Sequence, residues 1–212
     1  MTTSANRSAT PTCADLPQDC YFGWSAEATR SVSFEVSTSQ VARMNSVIIR
    51  ALDPAEWAVF RDFRLQALRA APGVFITSYD EALVRTPEEW QDTIKGPAHQ
   101  VFGLFDGELL IGITAAFTSC EDPSRETALL AMSFILPKYR GSGLSRLLYE
   151  ARLDWIRTNP HFKRVVVSHR LSNEVSRRAI QRHGFRPTGR ASRTWPDGVS
   201  EDEVWYELPI SN

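Results

Sequence analysis

Pro137 to Arg157 reads PKYRGSGLSRLLYEARLDWIR, two glycines set one residue apart directly before a leucine-rich segment. Leu144, Leu147, Leu148, Ala151 and Trp155 recur at i, i+3, i+4, i+7 and i+11, one face of an amphipathic helix. Glycine is the poorest helix former after proline, so Gly141 and Gly143 at a helix start need another reason. A missing Cβ lets a ligand approach the backbone N–H groups, which carry positive partial charge at a helix N-terminus. The amides of residues 141–146 therefore read as a phosphate site built from backbone. Arg140 and Arg146 flank it with charge, and Ser142 and Ser145 add hydroxyl donors.

Two familiar phosphate motifs do not fit. A P-loop needs Lys-Ser or Lys-Thr after its second glycine, where this chain has Leu144-Ser145. A dinucleotide fingerprint needs a third glycine, an acid about twenty residues further on and a fully parallel sheet. Glu150 comes too early for that acid, and the surrounding pattern is not that of a parallel sheet.

Working outward, TALLAMSFIL before the turn reads as a buried strand. QVFGLF and ELLIGITAAF read as two strands of a hairpin joined by Asp106-Gly107. Further upstream, VIIRAL is a short strand, and Asp53 caps a helix with Pro54 and Glu56 in its first turn. Trp57, Phe60, Phe63, Ala67 and Ala71 mark the buried face of that helix, which Pro72-Gly73 stops. TPEEWQDTIKG is a second helix, with Thr86 and Glu89 as a capping box and Gly96 as its C-cap. Downstream of the turn come the strand RVVVSH, the helix NEVSRRAIQRH and a closing hairpin around Pro196-Asp197-Gly198. The order β α α β β β α β α β β gives an α/β (α+β) domain: a mixed, mostly antiparallel sheet flanked by about four helices, parallel only around the glycine-turn helix.

Residues 1–43 have a different texture. They are rich in Ser, Thr and Ala, and read as a flexible N-terminal extension to a domain spanning 44–212, with Met44 as an alternative natural start. SVSFEVSTSQ alternates Val32, Phe34 and Val36 with polar residues, the pattern of an extra strand. No basic start followed by an apolar core marks a secretory signal. A net charge of −1 gives no electrostatic footprint for nucleic acid or an anionic membrane, and no apolar run is long enough to span a bilayer. Cys13, Cys20 and Cys120 lack metal-ligand spacing, so no metal site is expected and the thiols read as reduced in a cytoplasmic protein.

The glycine turn has a companion. LPKYRGSGLSRLL is followed about thirty residues later by SNEVSRRAIQRHGF. Together they resemble the GNAT superfamily of acyl-CoA-dependent N-acyltransferases. Lys138 to Gly143 matches the family's Gln/Arg-x-x-Gly-x-Gly/Ala motif, with Lys138 in the first position. Asn173 to Gly184-Phe185 matches its second motif, and the similarity in element order runs from about Ser46 to Leu208. The resemblance implies acetyl-CoA as cofactor, with its pyrophosphate on the amides of Gly141, Ser142, Gly143, Leu144, Ser145 and Arg146. It implies that Ser133, Phe134, Ile135 and Leu136 splay from the neighbouring strand and offer backbone bonds to the pantetheine arm. It also implies that Asn173 contacts that arm. The acceptor would be a small-molecule or peptide amine, and a homodimer is compatible.

The family's usual proton-transfer groups are missing. The position of its thiolate-protonating tyrosine, seven residues after the motif asparagine, is Ile180. The position of the glutamate base in the branch that acetylates ribosomal-protein N-termini is Ser168, and TALLAMSFIL carries no carboxylate. His169 is the remaining titratable candidate near the expected sulfur. Phe75, Tyr79 and Glu81 fall where the family forms its acceptor pocket. Without a base, an α-amino acceptor of pKa ~7.8 is favoured over an alkyl amine of pKa ~10.4 by roughly 3.5 kcal/mol at pH 7. Two other readings stay open: a non-catalytic acyl-CoA-binding module, and a nucleotide-phosphate-binding regulatory protein.

Overall fold

The computed structural model describes residues 47–210. The alternation around Val32 and the expected extension over residues 1–43 lie outside the described residues. Within them the chain runs β1 (Val47–Ala51), α1 (Trp57–Ala70), α2 (Tyr79–Leu83), α3 (Pro87–Ile94), β2 (Lys95–Gly96), β3 (His99–Asp106), β4 (Leu109–Thr118), β5 (Thr127–Ile135), α4 (Ser145–Arg157), β6 (Arg164–Arg170), α5 (Glu174–Arg182), β7 (Arg186–Thr194) and β8 (Ser200–Pro209). The strands form one sheet in the order β1-β3-β4-β5-β6-β8-β7, with β2 added to β3. Only β5 and β6 run parallel; every other pair is antiparallel. The expected mixed, mostly antiparallel α/β architecture holds.

Local chemistry starts the helices where the sequence signals them. Asp53 accepts from the Ala55 amide at 2.9 Å, Glu56 reaches back to the Asp53 amide at 2.9 Å, and a 3-10 turn over Pro54–Glu56 leads into α1. Thr86 and Glu89 form the same reciprocal box at α3. Phe60 and Trp90 meet edge-on at 5.6 Å and tie α1 to α3, both side chains fully buried. Each side chain of this size contributes roughly 1.5–3 kcal/mol by leaving water.

Neighbouring residues of a strand point to opposite faces, which separates the two helical layers. Phe134 of β5 meets Phe63 of α1 at 6.0 Å. The next residue, Ile135, clusters with Leu144 and Leu148 at the start of α4. So α1 covers one face of β5 and α4 the other.

One expectation needs correction. Gly96 is not a helix C-cap: the chain leaves α3 through an extended Lys95 (φ −150°, ψ 132°), and Gly96 pairs with His99 in the β2–β3 ladder. A Cβ there would come within 2.4 Å of the His99 ring, so the glycine serves close approach. The described residues hold five α-helices, among them the one-turn α2 that the Ser78 and Glu81 capping box starts.

Candidate active site

The parallel pair opens into a fork. β5 and β6 pair only at Thr127↔Arg164, Ala128↔Val165 and Leu129↔Val166. β4 nevertheless accompanies β5 as far as Gly112↔Ile135, and β8 accompanies β6 as far as Arg170↔Glu203. Each strand is held on its outer edge while the two part in the middle. A bulge accompanies the parting: between Ala115↔Ala131 and Ile113↔Phe134, β5 advances one residue more than β4, and Met132 takes φ +57°. That left-handed conformation costs a non-glycine residue about 1–2 kcal/mol and re-aims the segment Ser133–Leu136. Because β5 and β6 are parallel, the segments that follow them open at the same end of the sheet.

The segment after β5 carries the glycine turn. Gly141 and Gly143 sit at φ +78° and +79°, and a Cβ on either would meet nothing within 4 Å. Backbone conformation and open space for a ligand, not internal packing, call for glycine here. The amides of residues 141–145 donate to no acceptor among the described residues, whereas Arg146 N bonds Gly143 O at 3.1 Å, which shortens the expected run by one. Leu144 is buried against Ile135 and Leu148 and anchors the turn to the sheet.

Several side chains expected around the phosphate lie elsewhere. Arg140 folds back over the Phe134 ring and its Nε donates to Ile135 O at 2.9 Å. Ser142 Oγ donates to Tyr139 O at 2.6 Å, and Arg146 pairs with Glu150 at 3.0 Å on the surface. Leu136 N donates to Ile111 O at 2.9 Å. Leu136 O accepts from Tyr139 N at 2.9 Å, so at least three backbone groups of the segment Ser133–Leu136 are already engaged, and Ser133 Oγ is bonded to Thr114 Oγ1 at 2.9 Å.

The segment after β6 carries Asn173. Its Oδ1 accepts from Ser176 N at 3.1 Å and caps α5, while its buried Nδ2 has no hydrogen-bond partner. A buried donor left unmade costs about 1–3 kcal/mol. This donor set suits coenzyme A: unpaired amides at a helix N-terminus for a pyrophosphate, and a carboxamide donor for an amide-bearing arm.

The α1 side of the fork holds a polar network. Arg170 donates to Gly73 O at 2.7 Å and pairs with Asp197 at 2.6 Å and with Glu201, pinning the segment after α1 to the β7–β8 hairpin. A Cβ on Gly73 would sit 2.1 Å from the Asp197 carboxylate. Ser168, two residues before Arg170 and on the same face of β6, is fully buried and donates to Glu203 Oε1. Glu203 is 2% exposed, and its other oxygen accepts from Arg193 Nε at 2.9 Å. A carboxylate therefore stands behind the β6 side of the fork after all, supplied by β8 opposite Arg170 and diagonal to Ser168. Nothing in the local sequence marks Glu203; only the β6–β8 register brings it there.

His169 points to the opposite face and is locked. Nδ1 contacts Arg170 O at 2.7 Å and Nε2 contacts the Tyr206 hydroxyl at 3.2 Å, so a neutral ring protonated at Nδ1 satisfies both nitrogens. Burial, helped by the Arg177 charge and opposed by the Arg170 carbonyl and Glu174, lowers its pKa. With both nitrogens engaged, the geometry argues against the shuttle role expected for it. Below about pH 6.5 the unfolded chain gains a proton that the folded ring accepts only at lower pH, so stability falls as pH drops through that window. His169→Gln is expected to flatten the slope by up to about 1.4 kcal/mol per pH unit, measured by urea unfolding across pH 5.5–7.

Of the expected acceptor-pocket residues, Glu81 spends its carboxylate on the Ser78 amide at 2.7 Å as a cap. Tyr79 lines an open groove of about 390 Å³ with Asp62, Leu65, Gln66, Arg69 and Ala70. Phe75 is fully buried between Arg64 and Phe134.

The family model described as Acetyltransferase (GNAT) family matches residues 57–185, more than half of the chain. The chain belongs to the GNAT acetyltransferase family, for which acetyl-CoA is the supported cosubstrate. A GNAT-family acetyltransferase from Streptococcus pneumoniae superposes with a TM-score of 0.65 at 20% identity, covering 77% of this chain and 99% of that one. The protein yncA of Salmonella typhimurium, with its cofactor acetyl-CoA, gives 0.63 at 18% identity over 78% and 95%. RimL, a ribosomal L7/L12 α-N-protein acetyltransferase in complex with coenzyme A, gives 0.62 at 16% identity over 78% and 94%. No curated protein matches the sequence significantly. Among the described residues no helix is long and apolar enough to cross a membrane, and no cluster of metal-ligating side chains occurs.

Proposed function

We propose that this protein transfers the acetyl group of acetyl-CoA to a primary amine at the β5–β6 fork, with Glu203 taking the amine's proton through the Ser168 hydroxyl. Acetyl-CoA supplies the acyl group as an activated thioester. The amides of residues 141–145 hold the pyrophosphate, and Asn173 Nδ2 bonds the arm. A backbone N–H near Ile135 polarises the thioester carbonyl. No side chain needs to carry the acyl group: the neutral amine attacks the thioester carbon directly, the C–S bond breaks as the C–N bond forms, and coenzyme A leaves as a thiolate that takes up the second proton shed by the nitrogen.

The observation that carries this reading is the buried Ser168–Glu203 pair, with Ser168 on the stretch of β6 that parts from β5, at the same end of the sheet as five unpaired amides. It also removes the reason to expect a low-pKa acceptor. Deprotonating an alkyl amine at pH 7 costs roughly 4.6 kcal/mol. A positioned base typically offsets about 2.7–5.4 kcal/mol of such a barrier.

The test is acetyl-CoA-dependent release of free thiol across a panel of α-amino and alkyl amines, with binding competition by coenzyme A, 3′-dephospho-CoA and ATP. Amine-dependent release with no competition by ATP is expected. Tight acetyl-CoA binding without transfer to any amine would favour the non-catalytic module. Competition by ATP as strong as that by coenzyme A would favour the nucleotide-phosphate reading.

A further inference from the structure

Arg64 lies in the middle of α1, on the face that buries Phe60, Ala67 and Leu68, and is itself fully enclosed. None of its three guanidinium nitrogens has a hydrogen-bond partner. The guanidinium stacks on the Phe75 ring, 4.3 Å from its centroid. Burial alone pulls its pKa down to about 9, with no anion acting in the other direction. Arginine is almost never fully buried unless paired, because an uncompensated buried charge is strongly destabilising. A leucine or methionine would fill this site at lower cost. Packing therefore does not explain the arginine.

Asp62 of α1 and the acids around the fork are engaged with other groups. Asp62 accepts from Arg61, Asp197 and Glu201 pair with Arg170, and Glu203 is held by Ser168 and Arg193. A cation is left over, and it lies close to the fork. Phe75, on which it stacks, lies 6.3 Å from Phe134, and Phe134 belongs to the splayed end of β5. One aromatic ring separates the guanidinium from the strand that forms the fork.

From this we infer that Arg64 receives a carboxylate of the acceptor, so that the substrate class is amines carrying a carboxylate, amino acids among them. The inference rests on the acetyl-transfer reading above. Phe75 is the ring that must turn aside to admit the carboxylate to the guanidinium's five donors. Glu203 and Arg64 then face the two ends of a zwitterion, amine and carboxylate, from one side of the sheet.

The experiment compares kcat/KM for the common amino acids and their matched decarboxylated amines in the parent, Arg64→Met and Arg64→Lys. The parent is expected to prefer the carboxylated partner of at least one pair by roughly 10- to 100-fold. Arg64→Met should erase that preference through KM while leaving the decarboxylated amine unchanged, and Arg64→Lys should restore part of it. Thermal melts of Arg64→Met should match or exceed the parent, since a buried charge is replaced by a side chain of similar length. Should that variant fail to fold, thermal shifts of the parent with coenzyme A and the same compounds decide, with stabilisation by the carboxylated members alone supporting the inference. Equal handling of both members of every pair, or a preference that survives Arg64→Met, overturns it. Acetylation of plain amines with no carboxylate preference removes only this inference. Absence of acetyl-CoA binding removes the acetyl-transfer reading as well.

Discussion

Gly143→Val is expected to weaken acetyl-CoA binding by roughly 10²- to 10⁴-fold. Losing two hydrogen bonds to a charged group costs about 3–6 kcal/mol, and each 1.4 kcal/mol is a factor of ten. Two effects combine. A valine cannot hold φ +79° without strain, so the turn shifts, and its branched side chain fills the space in front of the amides of residues 141–145. The strain can be separated from the binding effect. Gly198, in the β7–β8 turn, has the same φ of +79°, and a Cβ there would likewise meet nothing within 4 Å. Gly198→Val should therefore cost similar stability, roughly 1–2 kcal/mol, yet bind acetyl-CoA like the parent. Calorimetric titration of both variants makes the comparison. Equal affinities would mean that the glycine turn is only a turn.

Glu203→Gln is expected to lower kcat/KM by about 10²- to 10⁴-fold while leaving acetyl-CoA affinity unchanged. Glutamine keeps the shape: its one carbonyl oxygen can accept from Arg193 Nε while its amide donates to the Ser168 hydroxyl oxygen, so the loss reports proton transfer more than packing. The loss should be larger for an alkyl amine than for a weakly basic one, because the more basic acceptor depends more on removal of its proton. A purely structural role for Glu203 would slow both acceptors alike, and unchanged kcat/KM would exclude it as the base. Ser168→Ala should show the same acceptor dependence to a smaller extent, since water can replace the hydroxyl between amine and carboxylate.

What could be read from the sequence was local. The glycine turn, the Asp106-Gly107 hairpin, the Asp53 and Thr86 boxes and the asparagine-started helix all depend on residues within a few positions of one another. The same kind of signal also starts α2: Ser78-x-x-Glu81 is a capping box as good as that of Thr86, and it makes a helix cap of a candidate pocket acid. The base lay beyond such reading. A search for a carboxylate within β5 or before Asn173 finds none, because the acid comes from β8, and its place beside Ser168 depends on a sheet register that no short window contains. Arg64 escapes for the opposite reason. Helical periodicity selects Phe60, Phe63 and Ala67 and treats a charged residue among them as solvent-facing, whereas the structure encloses it completely. Arg140 shows the remaining gap: position next to the glycines suggested a phosphate partner, but the side chain runs back along the chain to Ile135 O.

If the fork between β5 and β6 is the site of transfer, acetyl-CoA must lie in it with its thioester beside Ser168 and Glu203. The most direct measurement is a crystal structure of the protein in complex with acetyl-CoA. The pyrophosphate is expected on the amides of residues 141–145, the pantetheine arm between the parted strands in contact with Asn173 Nδ2, and the thioester at the end of β5. Acetyl-CoA bound away from the glycine turn, or a thioester that ends out of reach of the Ser168–Glu203 pair, would contradict the proposed function.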